Sequence, residues 1–205
     1  MSSDFASQSA AYYERKLAEF GATARGVDWN SRESQYLRFA QLLRVAEGQP
    51  IAVNDYGCGY GALATYLREH GDDFEYCGYD AAPGMIAAAQ QIAAADPRCS
   101  FTASRDALAP RAFTVASGVF NVKQQAADEP WWQYVADTLD DIASVSRRGF
   151  AANFLTSYSD PDRKRPDLFY PDPSEVLRHC LTHYSRWVAI LHDYPLYEFT
   201  VLVRF

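Results

Sequence analysis

The chain has 205 residues, 48% hydrophobic and 22% charged, which is enough for one domain with its own core. Its net charge is −7 and no basic run exceeds Arg163-Lys164-Arg165, so DNA and RNA are poor candidates for the main partner. No apolar run approaches a membrane span, the first residues lack a signal-peptide core, and Cys58, Cys77, Cys99 and Cys180 show no framework spacing. The expectation is a cytoplasmic protein with reduced thiols and no membrane partner.

Ser9–Phe20 reads as a helix with Tyr12, Tyr13, Leu17 and Phe20 on one side and Gly21 as its stop. A loop leads to Asn30, which fits an N-cap because Glu33 stands three residues later. Ser31–Glu47 then carries Tyr36, Phe39, Ala40, Leu43 and Ala46 at helical spacing, and Gly48 ends it. Both helices read as packing on a sheet edge. Trp29, Gln35 and Arg38 set polar tips beside that apolar face, which makes Trp29 and Arg38 candidates for contact with a small molecule.

Ile51–Leu67, IAVNDYGCGYGALATYL, is the most informative stretch. A short apolar run, an acid (Asp55), and Gly57, Gly59 and Gly61 at every second position predict a buried strand, a tight turn and a helix. Glycines there let the main chain approach a ligand closely. Phe74–Tyr79 predicts the second parallel strand, ending in Asp80, 19 residues past Gly61, where an acid can accept both hydroxyls of a ribose. A helix through Ala95 follows. Gly57, Gly59 and Ala62 satisfy the relaxed dinucleotide pattern, so the glycines alone leave a nicotinamide cofactor open. Asp55 speaks against a pyrophosphate, because like charges at close range are costly.

The whole string Asp55-x-Gly57-Cys58-Gly59-x-Gly61 resembles the first motif of the class I S-adenosylmethionine-dependent methyltransferases, small-molecule type. The resemblance implies an α/β, three-layer Rossmann-like fold. Its seven-stranded sheet would be mostly parallel with the last strand antiparallel, under N-terminal covering helices. It also implies S-adenosylmethionine as methyl donor and S-adenosylhomocysteine as product. On that pattern Asp55, Gly57, Cys58, Gly59 and Gly61 form the first cofactor-binding motif, with the acid near the methionyl ammonium. Asp80, Ala81 and Met85 resemble the second, with Met85 along the adenine. After a third strand, Cys99–Ala103, Ser104 or Asp106 stands where a contact to the adenine amino group is expected, although Arg105 occupies the place of an acid. Phe113–Val122 predicts the fourth strand, with Thr114 where the family has an acid. It places Ser117 and Gly118 toward the cofactor and Phe120 and Asn121 toward the substrate. No N/D-P-P-Y/F string is present, which counts against a nucleic-acid substrate.

A helix from Glu129 to Ser146 is expected next, stopped by Gly149, then a fifth strand, Phe150–Leu155. The irregular stretch TSYSDPDRKRPDLFYPD reads as a substrate lid, with Tyr158 and Tyr170 as substrate candidates. Asp172-Pro173 is a strong helix start. His179 and His183 lie four apart on that helix, but no third ligand has convincing spacing, so no metal is expected. Arg186–Tyr194 and Tyr197–Phe205 read as closing strands. His192, with Asp193 and Tyr194, ends the first of these, and histidine as a residue type suits a general base. The equal alternative is a hairpin whose polar residues only satisfy the turn.

The chain is thus expected to be one domain over residues 1–205. Residues 1–50 would form a helical cap, 51–123 the cofactor half and 124–205 the substrate half. The expected activity is in-line transfer of a methyl group to an oxygen or nitrogen of a small-molecule acceptor, by a monomer or homodimer. Two alternatives stay open at this level: a nicotinamide-type oxidoreductase, and a non-catalytic S-adenosylmethionine-binding partner subunit.

Overall fold

The computed structural model describes residues 2–71, 73–93 and 96–205, with side chains from Phe5 onward. Its seven strands are β1 (Ile51–Tyr56), β2 (Phe74–Tyr79), β3 (Cys99–Thr102), β4 (Arg111–Ala116), β5 (Ser146–Leu155), β6 (Trp187–Leu191) and β7 (Glu198–Arg204). They form one sheet in the order β3-β2-β1-β4-β5-β7-β6. β1 to β5 pair in parallel, and β7 runs antiparallel to both β5 and β6. The chain therefore turns one way from β1 to β2 and the other way to β4. The cleft beyond the carboxyl ends of β1 and β4 is a topological switch point, where open α/β sheets bind ligands.

Among the described residues six α-helices accompany the sheet: α1 (Ser2–Phe20), α2 (Arg32–Leu43), α3 (Ala62–Glu69), α4 (Pro83–Ala93), α5 (Asp128–Ser144) and α6 (Pro173–His183). Strand alternation sends successive side chains to opposite faces. Phe150, Ala152 and Phe154 of β5 join Phe199, Val201 and Val203 of β7 in a core completed by Val135, Leu139 and Ile142 of α5 and Val176 and Cys180 of α6. Ala151 and Leu202 face the other way, onto Phe39 and Leu42 of α2 and Leu63 and Leu67 of α3. Both faces of the central strands are covered, which is why β4 and β5 read as nearly unbroken apolar runs.

Several boundaries differ from the sequence reading. Ser31 rather than Asn30 caps α2. Its Oγ accepts from the Ser34 N–H at 3.2 Å, while Ser34 Oγ accepts from the Ser31 N–H at 3.3 Å. A reciprocal serine pair replaces the expected acid, and α2 gives way after Leu43 to a 3-10 turn, Arg44–Ala46. α1 begins earlier than expected, at Ser2, and the expected extension of α4 to Ala95 lies outside the described residues. β4 stops at Ala116, because Gly118 takes φ +76° and turns the chain out of the sheet. Gly149 does not stop a helix. It sits inside β5, where a Cβ would run into the Val203 carbonyl, beside a register shift against β4. A glycine inside a strand commonly marks such a bulge or close approach.

Candidate active site

The turn after β1 is suspended from the end of β2. The Gly57 and Cys58 N–H groups both donate to the Tyr79 carbonyl, at 2.8 and 2.9 Å, and the Gly59 N–H donates to Asp80 Oδ2 at 2.8 Å. Asp80 Oδ1 also accepts from the Ala82 N–H at 2.9 Å, so this one carboxylate ties the first turn to the start of α4. Gly57 has φ +78°, and a Cβ there would stand 2.6 Å from Val119 Cγ2, so both angle and space require glycine.

A cavity of about 550 Å³ opens over this turn, within the usual range for small-molecule sites. Asp55, Gly57, Cys58 and Gly59 form its floor, with Asp80, Ala81 and Met85 on one side and Ser117 and Gly118 on the other. Helix α1 closes it with Ala6, Ser9, Ala10 and Tyr13. Asp55, Asp80, Asp137 and Asp141 line the cavity against a single basic group, Arg105. Asp55 is 2% exposed and accepts from the Tyr76 hydroxyl at 2.7 Å. Burial pushes its carboxyl up to about 7, with the negative charge of Asp80 adding to the rise and the Tyr76 hydrogen bond opposing it. Burial also raises Asp80, against its two backbone hydrogen bonds. Ser117 Oγ, another wall group, is buried with no hydrogen-bond partner among the described residues.

A second cavity of about 460 Å³ adjoins the first, and Tyr13, Val27, Trp29 and Gly118 line both. The Trp29 ring lies so close over Gly118 that a Cβ at that position would overlap it. Behind the ring, the Arg38 guanidinium stacks at 3.8 Å from its centroid. Arg38 is buried in an ion pair with Glu198, and its Nη1 donates to the Ser34 carbonyl at 2.7 Å. Glu198 Oε2 accepts from Asn153 Nδ2 at 2.6 Å, and Asn153 Oδ1 accepts from the Gly118 N–H at 2.7 Å. One buried network thus joins α2, β5 and β7 to the backbone at the boundary of the two cavities. The far wall of the second cavity comes from Ser159, Arg163, Arg165, Leu168 and Tyr170 of the irregular stretch after β5. That stretch is fastened down: Leu168 forms a bridge with Val122, and the Phe169 N–H donates to the Asn121 carbonyl at 2.9 Å.

The sequence candidates divide cleanly by position. Asp55, Gly57, Cys58, Gly59, Asp80, Ala81, Met85, Ser117 and Gly118 all line the first cavity, and Trp29 lines both. Arg38, Asn121 and Tyr170 line the second. Gly61 lies behind the turn as the cap of α3, packed on Ala89 and Phe101. Ser104 and Asp106 point to solvent, and Arg105 between them enters the cavity instead, paired with Asp141 at 3.3 Å. Phe120 is fully buried, stacked on Phe154 at 4.9 Å, and is a core residue rather than a substrate contact. Tyr158 is 71% exposed and lies outside both cavities.

His192 and Asp193 are also exposed and line neither cavity, while the Tyr194 hydroxyl is spent on Thr200 at 3.0 Å. The general-base expectation loses its geometry because β6 is the outermost strand, separated from β5 by β7. His179 and His183 pack ring to ring at 4.4 Å, with Trp132 against His179, and among the described residues no cluster of metal-ligating side chains occurs.

Other wall residues escaped the sequence reading. Tyr56, Tyr79 and Tyr134 are aromatic positions that sequence pattern assigns equally well to core. Asp137, Thr138 and Asp141 recur at helical spacing on α5, a polar stripe beside its apolar one that was there to be read.

A seven-stranded sheet with this order, a glycine turn after its first strand, and acids closing the first two strands define a class I S-adenosylmethionine-dependent methyltransferase. The comparisons agree. A methyltransferase-domain family model matches residues 53–148. A Mycobacterium tuberculosis protein named "Putative methyltransferase Rv1506c" is 45% identical over 164 residues, covering 78% of this chain and 96% of its own. Human N-acetylserotonin methyltransferase, solved with S-adenosylmethionine, superposes with TM-score 0.60 at 15% identity, over 98% of this chain and 67% of that one. The magnesium protoporphyrin IX methyltransferase of Synechocystis, also solved with S-adenosylmethionine, gives 0.56 at 14% identity, over 84% and 77%. The chain belongs to the methyltransferase-domain family.

Proposed function

We propose that this chain, acting as one domain, transfers the methyl group of S-adenosylmethionine to an oxygen or nitrogen of a small-molecule acceptor. The observation that carries the reading is the charge of the first cavity. Four carboxylates face it against one guanidinium, which suits a ligand bearing sulfonium and ammonium groups and opposes the pyrophosphate of a dinucleotide. The glycine turn supports the same choice, since its Gly57, Cys58 and Gly59 N–H groups are already spent on β2 and Asp80. A pyrophosphate site draws on free N–H donors of this kind.

The residues present fit the donor molecule. Asp55 is a buried carboxylate with no cationic partner, suited to hold the ammonium. Asp80 keeps lone pairs for ribose hydroxyls beyond its two backbone bonds, and Ser117 Oγ waits for a polar contact. When bound, the sulfonium supplies an electrophilic methyl group. The chain's own work is then alignment and exclusion of water. Trp29 and Gly118 form the boundary across which the two reactants meet, and the Arg38–Glu198–Asn153 network fixes both. Positioning of this kind contributes roughly 7–11 kcal/mol to such reactions. No histidine lines either cavity, so the arrangement favours a nucleophile that is a neutral amine or an already ionised hydroxyl.

The test is incubation with S-adenosylmethionine and a broad pool of small hydroxy and amino compounds, measuring S-adenosylhomocysteine. Acceptor-dependent product formation, with one pool member gaining a methyl mass, is the expected outcome. Tight S-adenosylmethionine binding without turnover across the pool would sink the small-acceptor reading.

A further inference from the structure

The two cavities differ in sign. The first is acidic, whereas the second carries Arg38, Arg163 and Arg165 against Asp28 and Glu198. Both acids are already committed: Glu198 to Arg38, and Asp28 to Lys16 Nζ at 2.8 Å and the Tyr12 hydroxyl at 2.6 Å. Arg163 and Arg165 stand at the rim, where their carboxylate partners Asp162 and Asp167 lie outside the lining. Arg163 pairs with its neighbour Asp162, at 3.8 Å with both side chains largely exposed, and its charge also acts on Tyr197 of the same cavity. Arg165 gives two of its five N–H donors to Asp167. By lining residues the second cavity has three guanidiniums to two carboxylates, the reverse of the first, in a chain of net charge −7.

Asn121 supplies an independent observation. The residue is 6% exposed, it lines the second cavity, and its Oδ1 has no hydrogen-bond partner among the described residues. Leaving a buried carbonyl oxygen unpaired is costly, and a donor on a ligand in this cavity would remove that cost. Asn121 stands three residues after Gly118, the glycine that both cavities share, and its N–H donates to the Gly118 carbonyl at 3.4 Å.

We propose that the second cavity selects an anionic acceptor. Its carboxylate or phosphate would lie at Arg163 and Arg165, and its reacting amine would donate a hydrogen bond to Asn121 Oδ1. The proposal rests on the small-acceptor reading above. Opposite signs in adjoining cavities then hold a cationic methyl donor and an anionic acceptor apart in their own sites while their reacting ends meet beside Gly118. Asn121 also discriminates by chemistry, since an analogue without the donor leaves the buried oxygen unpaired.

The experiment uses a panel of hydroxy and amino aromatic acids, each beside its methyl ester and a matching phosphate monoester. Methyl transfer is measured as kcat/KM, and binding to protein saturated with S-adenosylhomocysteine is measured by calorimetry. The acids or the phosphates are expected to exceed their neutral counterparts by tenfold or more, and whichever series leads identifies the anion. Arg163→Gln with Arg165→Gln should abolish that preference while S-adenosylhomocysteine affinity stays unchanged. Asn121→Leu should lower kcat/KM at least tenfold, and Asn121→Asp, which keeps an acceptor oxygen, should restore part of it. Neutral esters that match or beat the anions, or a preference that survives the double arginine variant, would overturn the proposal. If nothing in the panel is methylated, the small-acceptor reading fails by itself. Calorimetry with benzoate against methyl benzoate then still decides whether the cavity prefers an anion.

Discussion

At the residue scale, Asp55 is the group whose chemistry is most exposed to test. Its carboxyl sits near neutrality because burial disfavours the charged form. A carboxyl raised in this way lends the ligand-free fold its stability at low pH and withdraws it as pH rises from the unfolded value toward about 7. Binding a cation works in the opposite sense, since it needs the ionised form. Affinity for S-adenosylmethionine should therefore climb on the order of tenfold per pH unit below about 7 and flatten above it. Asp55→Asn keeps an oxygen for the Tyr76 hydroxyl but removes the charge. Calorimetry from pH 5.5 to 8.5 should show weak binding in the variant with only the ligand's own pH dependence, while its ligand-free melting temperature at pH 8 rises. A variant that binds as tightly as the parent protein would remove Asp55 from the cofactor site. Asp55 was legible from sequence because its type, the glycines after it and the strand before it all agree. Arg105 was not, because whether a side chain on a 3-10 turn faces inward depends on its partner, and Asp141 lies on a helix 36 residues away.

At the scale of elements, the buried Arg38–Glu198 pair ties α2 to β7 beside their apolar contact and stacks on Trp29 over Gly118. Removing one partner of a buried pair strands the other charge, at about 3–5 kcal/mol, whereas replacing both with apolar groups is often close to neutral. Glu198→Gln should accordingly lower stability by roughly that amount in urea denaturation. The double variant Arg38→Met with Glu198→Leu should recover most of the loss yet still transfer methyl groups poorly, because the bond from Asn153 to Glu198 is gone and Trp29 has lost its stacking partner. A double variant with full activity would show that the network serves folding alone. The elements themselves were largely readable. Strand periodicity located all seven strands, since β1 to β5 are apolar runs ended by acids or turn residues. The errors fell on glycines and caps. The sequence pattern carries the fourth strand through Gly118 to Val122 and makes Gly149 a helix stop, whereas Gly118 turns the chain out of the sheet and Gly149 sits in a bulge packed against Val203. Those outcomes depend on the neighbouring strand, which local sequence does not contain. The general base at His192 failed for the same reason. The end of β6 looks like a substrate mouth until the order β5-β7-β6 sets it two strands away.

At the scale of the whole molecule, the site is assembled from a sheet that supplies its floor and an N-terminal helix that closes it. The floor is held by two cores, but α1 covers the first cavity on a smaller set of ties. Tyr12 and Lys16 both reach Asp28, Glu14 Oε1 accepts from the Gly84 N–H at 2.7 Å, and Phe5 packs edge-on against Trp131 and Tyr134 at 5.5 and 5.9 Å. The polar ties are of a partly exposed kind worth up to about 1 kcal/mol each, so the expected outcome of loosening them is that α1 opens without the sheet. Asp28 has φ +61°, a conformation that asparagine tolerates, so Asp28→Asn removes the ionic tie without straining the turn. This change should leave the melting temperature nearly unaltered while weakening S-adenosylhomocysteine binding about fivefold, the equivalent of about 1 kcal/mol. Hydrogen exchange should locate the effect. Amides of α1 should be slowed by S-adenosylhomocysteine in the parent protein and less so in the variant, whereas β4 and β5 amides stay equally protected in both. Faster exchange throughout the sheet would instead show that α1 is part of the folding core, and the cover would then not open independently of it.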